Sequence, residues 1–246
     1  MRIWAWALWV AVGLTTACAP VYPVGPVAPP PGVDLARPAV SERLQPRDAA
    51  RNFIQVVQRV EPMTEAMCRA RNIALNCDFL IVIDDRPGQP PNAFQTLDRR
   101  GRPVLGFTLA LIADARNADE IAFVLGHEAS HHILGHIPQQ KQTATQGAVL
   151  AGILAQAAGG DAAAVRQAQE MGATMGARSY AKNFELEADA LGAEIALRAG
   201  YDPVIGTGFF DRLPDPGDAF LGTHPANAQR KAQVRAVVAR LLAAGV

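Results

Sequence analysis

The chain lacks a surplus of either charge: across 246 residues, 23 Lys and Arg are balanced by 23 Asp and Glu. Recognition of a phosphate backbone needs a concentration of basic side chains, so neither nucleic acid nor nucleotide is an expected partner. A comfortable membrane span is also missing from the N-terminus, where the apolar stretch Ile3–Leu14 is too short to cross a bilayer as a helix. No segment repeats and no second domain is apparent, which leaves one core-forming region. Cysteine and histidine are scarce, with three and five residues.

The first 18 residues, MRIWAWALWVAVGLTTAC, set one positive charge at Arg2 before the apolar stretch and end in small residues. This is the layout of an export signal. LTTAC is similar to a lipobox, in which Cys18 would be acylated and become the new N-terminus; Thr15 stands where leucine is usual. Cleavage beside Ala17 and Ala19 by the ordinary signal peptidase is the alternative, with Pro20 against it. Ala19, rather than Asp, favours the periplasmic side of the outer membrane over inner-membrane retention. A soluble periplasmic protein is the second reading. In an oxidising compartment Cys68 and Cys77, nine residues apart, are a possible disulfide or else two buried thiols.

Residues 19–41 follow as a proline-rich tether, with seven prolines between Ala19 and Val40. The folded domain is expected over residues 42–246. Within it, Phe53, Val56, Val57 and Val60 form a helical stripe, interrupted or kinked at Pro62. Phe79–Ile83 reads as a buried strand, residues 86–103 as loop, and Val104–Phe107 as a second short strand. The clearest helix starts at Asn117, an N-cap with Glu120 placed to complete a capping box, and is expected to end at Pro138. Ala148–Ala158 is a core or close-packed surface helix, or else a segment that meets a membrane or substrate. Residues 165–200 look helical almost throughout, with glycines at close contacts or breaks, and a terminal helix reaches Leu242.

On the Asn117 helix lies HEASHHILGH, residues 127–136. His127 and His131 stand four residues apart, one turn along one face, within reach of a single ion. Glu128 is turned about 100° away, where it meets water rather than the ion. Zinc suits this set because it accepts imidazole nitrogen and carboxylate oxygen and leaves a position for water. His132 and His136 form another four-residue pair on a different azimuth and read as supporting or packing residues. A third ligand must come from elsewhere. NFELEAD offers Glu185 and Asp189 on one helix face, so that one binds metal while the other holds a ligand histidine; Glu187 points away.

HEASHHILGH, FELEADALGAEIALRAGYDP and THPANAQR, in that order, closely resemble the zinc metallopeptidase family of HtpX-like proteases and CAAX prenyl proteases. Within it, the chain is most similar to small, exported, membrane-tethered quality-control peptidases of Gram-negative bacteria. The likeness runs from about Phe79 to Arg230 and includes PNAF. It implies an α+β fold: a mainly helical zincin-type metallopeptidase domain, gluzincin in its ligand set, with a small β-sheet beside the HExxH helix. It also implies one zinc per chain, with Glu185 as third ligand and Asp189 steadying the site. His224 and Arg230 match an H-P-x-x-x-x-R signature: His224 to stabilise an oxyanion or cap the metal in a latent form, Arg230 to anchor the site or neutralise the transition state. Ala181 and Lys182 depart from the usual Ser-Arg. The intramembrane helices of large relatives are absent, and no appended helical-repeat domain is expected.

The expected activity is therefore zinc-dependent endoproteolysis, with Glu128 as general base and then acid. Unfolded or misassembled periplasmic or outer-membrane proteins are the expected substrates, bound extended at the sheet edge near Val104–Phe107. The alternative is a zinc-stabilised periplasmic chaperone or assembly factor that holds clients without cutting them.

Overall fold

The computed structural model describes residues 42–215 and 225–246; Cys18, the proline-rich stretch and His224 lie outside the described residues. The first helix, α1 (Pro46–Arg71), starts with proline in its first turn, where the missing N–H costs nothing. It buries Phe53, Val56, Val60 and Met67 as one stripe. It also runs unbroken through Pro62, because core-facing residues on both sides of that position hold it in line. Cys68 near its end is disulfide-bonded to Cys77, which leads into the first strand.

Three strands follow: β1 (Leu80–Asp84), β2 (Ala93–Leu97) and β3 (Pro103–Thr108), in the spatial order β1-β3-β2. β1 pairs parallel to β3 and β2 pairs antiparallel to it. β3 is thus the central strand, buried at every position, and the expected substrate edge at Val104–Phe107 is corrected: its backbone is paired on both sides. The edges belong instead to β1 and β2, the latter a strand within the stretch expected to be loop. The Phe94 ring of β2 crosses Gly106 of β3, where any side chain would collide with it.

A short helix, α2 (Leu109–Asp114), capped by Thr108, leads to α3 (Ala118–Ile133). The Asn117 side chain caps α3 by accepting from the Glu120 N–H at 2.9 Å. The Glu120 carboxylate, however, accepts from the Arg116 N–H rather than the cap residue's own, and pairs with Arg212 at 2.6 Å. α3 is buried on almost every side against α1 and the sheet. It ends sooner than expected. Gly135 turns left-handed at φ 71°, and a new helix, α4 (His136–Ala157), begins with Pro138 in its first turn.

α4 and α5 (Ala162–Ser179) form an antiparallel arm about 33 Å long at 1.5 Å per residue, which meets the rest of the domain at its base. The two helices touch through glycines: a side chain at Gly147 would strike the backbone of Gly172, and one at Gly176 that of Thr143. The larger apolar residues Val149, Leu150, Ile153 and Leu154 face outward, each more than half exposed. The Ala148–Ala158 segment is therefore close-packed on one side only and is not core. No helix among the described residues is long and apolar enough to cross a membrane.

Next, α6 (Ala181–Arg198) packs along α3, and α7 (Pro203–Gly206) and a 3-10 turn (Thr207–Arg212) cover the start of α3. The C-terminal helix α8 (Asn227–Ala243) closes over α6. The architecture is α+β, mainly helical, with one small sheet beside α3.

Candidate metal centre

Two helices build the site, and glycine sets their separation. Gly126 on α3 faces Gly192 on α6; a Cβ on Gly192 would stand 2.6 Å from the His127 nitrogen, so only glycine permits this approach. Gly192 lies two turns after Glu185 and three residues after Asp189, roughly on their face of α6. The close contact therefore delivers both acids to the histidines of α3.

His127 Nε2 and His131 Nε2 are 3.1 Å apart. Glu185 reaches both, its Oε2 3.6 Å from His127 Nε2 and its Oε1 3.4 Å from His131 Nε2. One donor atom from each of these residues lies within 4.8 Å of the others, and among the described residues this is the one cluster of that kind. Two imidazole nitrogens and a carboxylate oxygen around a common point are a donor set that fits zinc, one ion per chain.

The groups behind the ligands fix their orientation. Asp189, fully buried, accepts from His127 Nδ1 at 2.9 Å, which leaves Nε2 as the lone-pair nitrogen aimed at the cluster. Arg230, itself buried, clamps Asp189 with two bonds of 2.7 Å and lies 4.1 Å over the Phe210 ring. Arg230 Nη2 also approaches Glu185 Oε2 at 3.4 Å. Burial alone would raise the Asp189 pKa, but its bonds to Arg230 and His127 hold the carboxyl below the ordinary aspartate range. Burial draws the His127 imidazole down, yet the Asp189 bond and the Glu185 charge outweigh it and leave the pKa raised. Burial and the facing His127 depress His131 to about 3, so its ring is neutral at physiological pH and able to bind metal.

Glu128 stands one residue beyond His127, half-buried on the wall of a cavity of about 480 Å³. Its charge is felt by Arg230. The same cavity is bounded by Ala93, Phe94 and Gln95 of the β2 edge, by Glu185, and by Phe209 and Phe210. The Glu128 carboxylate thus shares one chamber with the His127, His131 and Glu185 cluster and a strand edge.

The model of Peptidase family M48 matches residues 55–238, about three quarters of the chain. The chain belongs to this family. Among curated proteins it is similar to a beta-barrel assembly-enhancing protease of Yersinia pestis, 31% identical over 140 residues, covering 51% of this chain and 29% of that protein. It is also similar to mitochondrial metalloendopeptidase OMA1 of Arabidopsis thaliana, 30% identical over 115 residues, covering 45% of this chain and 23% of the relative. The match therefore spans under a third of either relative's length.

Sequence spacing brought His127, Glu128, His131, Glu185 and Asp189 into consideration and the family resemblance added Arg230, and the structure gathers all of them around one cavity or directly behind it. It separates His132 and His136. His132 points to the Asn76 carbonyl at 2.7 Å and packs edge-on to Phe79, whereas His136 reaches His131. Glu187, expected to point away, meets His136 Nε2 at 3.2 Å. Gly135 is the signal for this arrangement: an uninterrupted helix would set His136 half a turn from His127, and the left-handed break swings it back.

Proposed function

We propose that this member of family M48 is an exported zinc metalloendopeptidase acting on unfolded or misassembled proteins of the periplasm or outer membrane. The observation that carries the reading is the clustering of His127, His131 and Glu185 within 4.8 Å at a cavity that Glu128 also lines. His127, His131 and Glu185 would hold the ion, which when bound supplies a Lewis acid that acidifies water and polarises a carbonyl. Glu128 takes the proton from the attacking water and returns it to the amine nitrogen as the peptide bond breaks. Arg230 acts through Asp189 as an anchor: both of its bonds to that carboxylate are made inside the core, and its guanidinium is held against Phe210. His224 would stabilise the oxyanion or cap the metal in a latent form.

Substrate lies extended along the free edge of β2, the strand edge that borders the cavity. Backbone pairing there gives affinity with little sequence preference, as suits a protease for unfolded chains. Export through residues 1–18, acylation of Cys18 and a tether over residues 19–41 would hold the domain at the periplasmic face of the outer membrane. The similarity to the Yersinia pestis protease supports the exported location alone.

The test is digestion of an unfolded protein such as casein by the full chain, with and without a chelator, beside Glu128→Gln. Cleavage by the wild type that the chelator stops, with zinc retained but turnover reduced at least about a thousandfold in the variant, is expected. Zinc retention and client binding with no cleavage by the wild type would instead identify a zinc-stabilised chaperone.

A further inference from the structure

The two histidine ligands are supported in unequal ways. Behind His127 stands a buried carboxylate clamped by a buried arginine. Behind His131 stands another imidazole: His131 Nδ1 and His136 Nδ1 are 2.9 Å apart, and His136 Nε2 is 3.2 Å from Glu187 Oε2. His136 is 3% exposed and stacks on Phe184 at 4.5 Å between centroids, with the rings inclined by 16°. It is not part of the metal cluster and sits on the far side of the His131 ring from it.

Hydrogen-bond direction along this chain is determined by chemistry. A neutral His131 that turns its Nε2 lone pair to the cluster carries its proton on Nδ1 and so donates it. His136 Nδ1 must then accept, which leaves the His136 proton on Nε2, where Glu187 is the acceptor. No other assignment satisfies both contacts with neutral rings. Glu187 is more than half exposed, so the chain runs from the ligand to solvent at the root of the α4–α5 arm, of which His136 is the first helical residue.

We propose that His136, backed by Glu187, is a positioning residue that fixes the tautomer and ring orientation of His131. The inference rests on the ligand set given above and extends it to a residue that does not touch the metal. Its stacking on Phe184, one residue before Glu185, couples the same imidazole to the approach of the third ligand. The root of the arm is thereby part of the site's framework.

Zinc affinity of the full chain, measured by chelator competition, is the direct test, with the melting temperature of the metal-free protein as the fold control. His136→Phe keeps an aromatic ring against Phe184 and removes the acceptor; affinity should fall about 10- to 100-fold. His136→Asn restores an oxygen at the position of Nδ1 and should bind within about threefold of the wild type. Glu187→Ala, at an exposed bond, should cost about two- to fivefold. The imidazole N–H resonance of His131 should persist in His136→Asn and be lost to solvent exchange in His136→Phe. Should the larger ring unfold the domain, His136→Ala makes the same comparison without added volume. A wild type that binds no zinc would remove the ligand set itself. A wild type that binds zinc, with His136→Phe equally tight or folded His136→Asn as weak as His136→Phe, would overturn this inference alone.

Discussion

The α3–α6 pair and the α4–α5 pair are joined by the same device in opposite surroundings. In each, glycines on facing helices let two backbones approach more closely than any side chain would allow, Gly126 against Gly192 in one and Gly147 against Gly172 in the other. Around Gly126 and Gly192 the remaining faces are covered by α1, α8 and the sheet, and polar groups such as Asp189 and Arg230 are buried with their partners. Around the arm the outer faces meet solvent, with Leu150 and Ile153 near 60% exposed. Glycine contact pairs helices in both places; a metal centre arises only where the pair is also enclosed, because burial is what makes charged side chains hold one fixed geometry.

The sharpest way to break that contrast is to remove one member of the buried charge pair. Asp189→Ala takes from the buried Arg230 guanidinium both of its short bonds, leaving only the longer Glu185 contact, and should destabilise the protein by about 3 kcal/mol, read by urea unfolding. Because the Asp189 pKa is lowered in the fold, its stabilisation is present above the ordinary aspartate range and is lost as pH falls through the lowered value, so the variant should lose that acid-sensitive component too. Gly192→Ala comes next. Its methyl meets the backbone of His127 and Gly126, so α6 must move; about 1–3 kcal/mol should be lost, with weaker zinc binding because Glu185 moves with it. At the exposed end of the comparison, Leu150→Gln or Ile153→Gln should change stability by no more than about 0.5 kcal/mol and leave zinc affinity alone. A large loss there would mean that the outer face of the arm is covered in solution, and the contrast would fail.

The same contrast explains what was legible in the sequence. His127, Glu128, His131 and the cap at Asn117 lie on one continuous helix, where spacing converts directly into direction. The pairing of Glu185 with Asp189 was readable for the same reason. The β2 strand was not: Ala93–Leu97 is an edge strand of weak propensity set among prolines and polar residues, and it exists because Phe94 packs over Gly106. Nor was the burial of α4. Ala148–Ala158 reads in sequence as a core or close-packed surface helix or a membrane- or substrate-facing segment, while in the structure Val149, Leu150, Ile153 and Leu154 are exposed and the face that packs carries Gly147, Ala151 and Gly152. The contact of His136 with Glu187 stayed hidden because it depends on a left-handed residue between two helices, which periodicity alone does not register.

The most direct test of the account is the zinc content of the purified full chain compared with that of Glu185→Ala. One zinc per wild-type chain is expected, with a substoichiometric amount in the variant. Affinity in the wild type should weaken as pH falls, since the raised His127 pKa makes protons stronger competitors for its ring. A wild type without zinc, or a variant that keeps a full equivalent, would contradict the joint hold of one ion by α3 and α6.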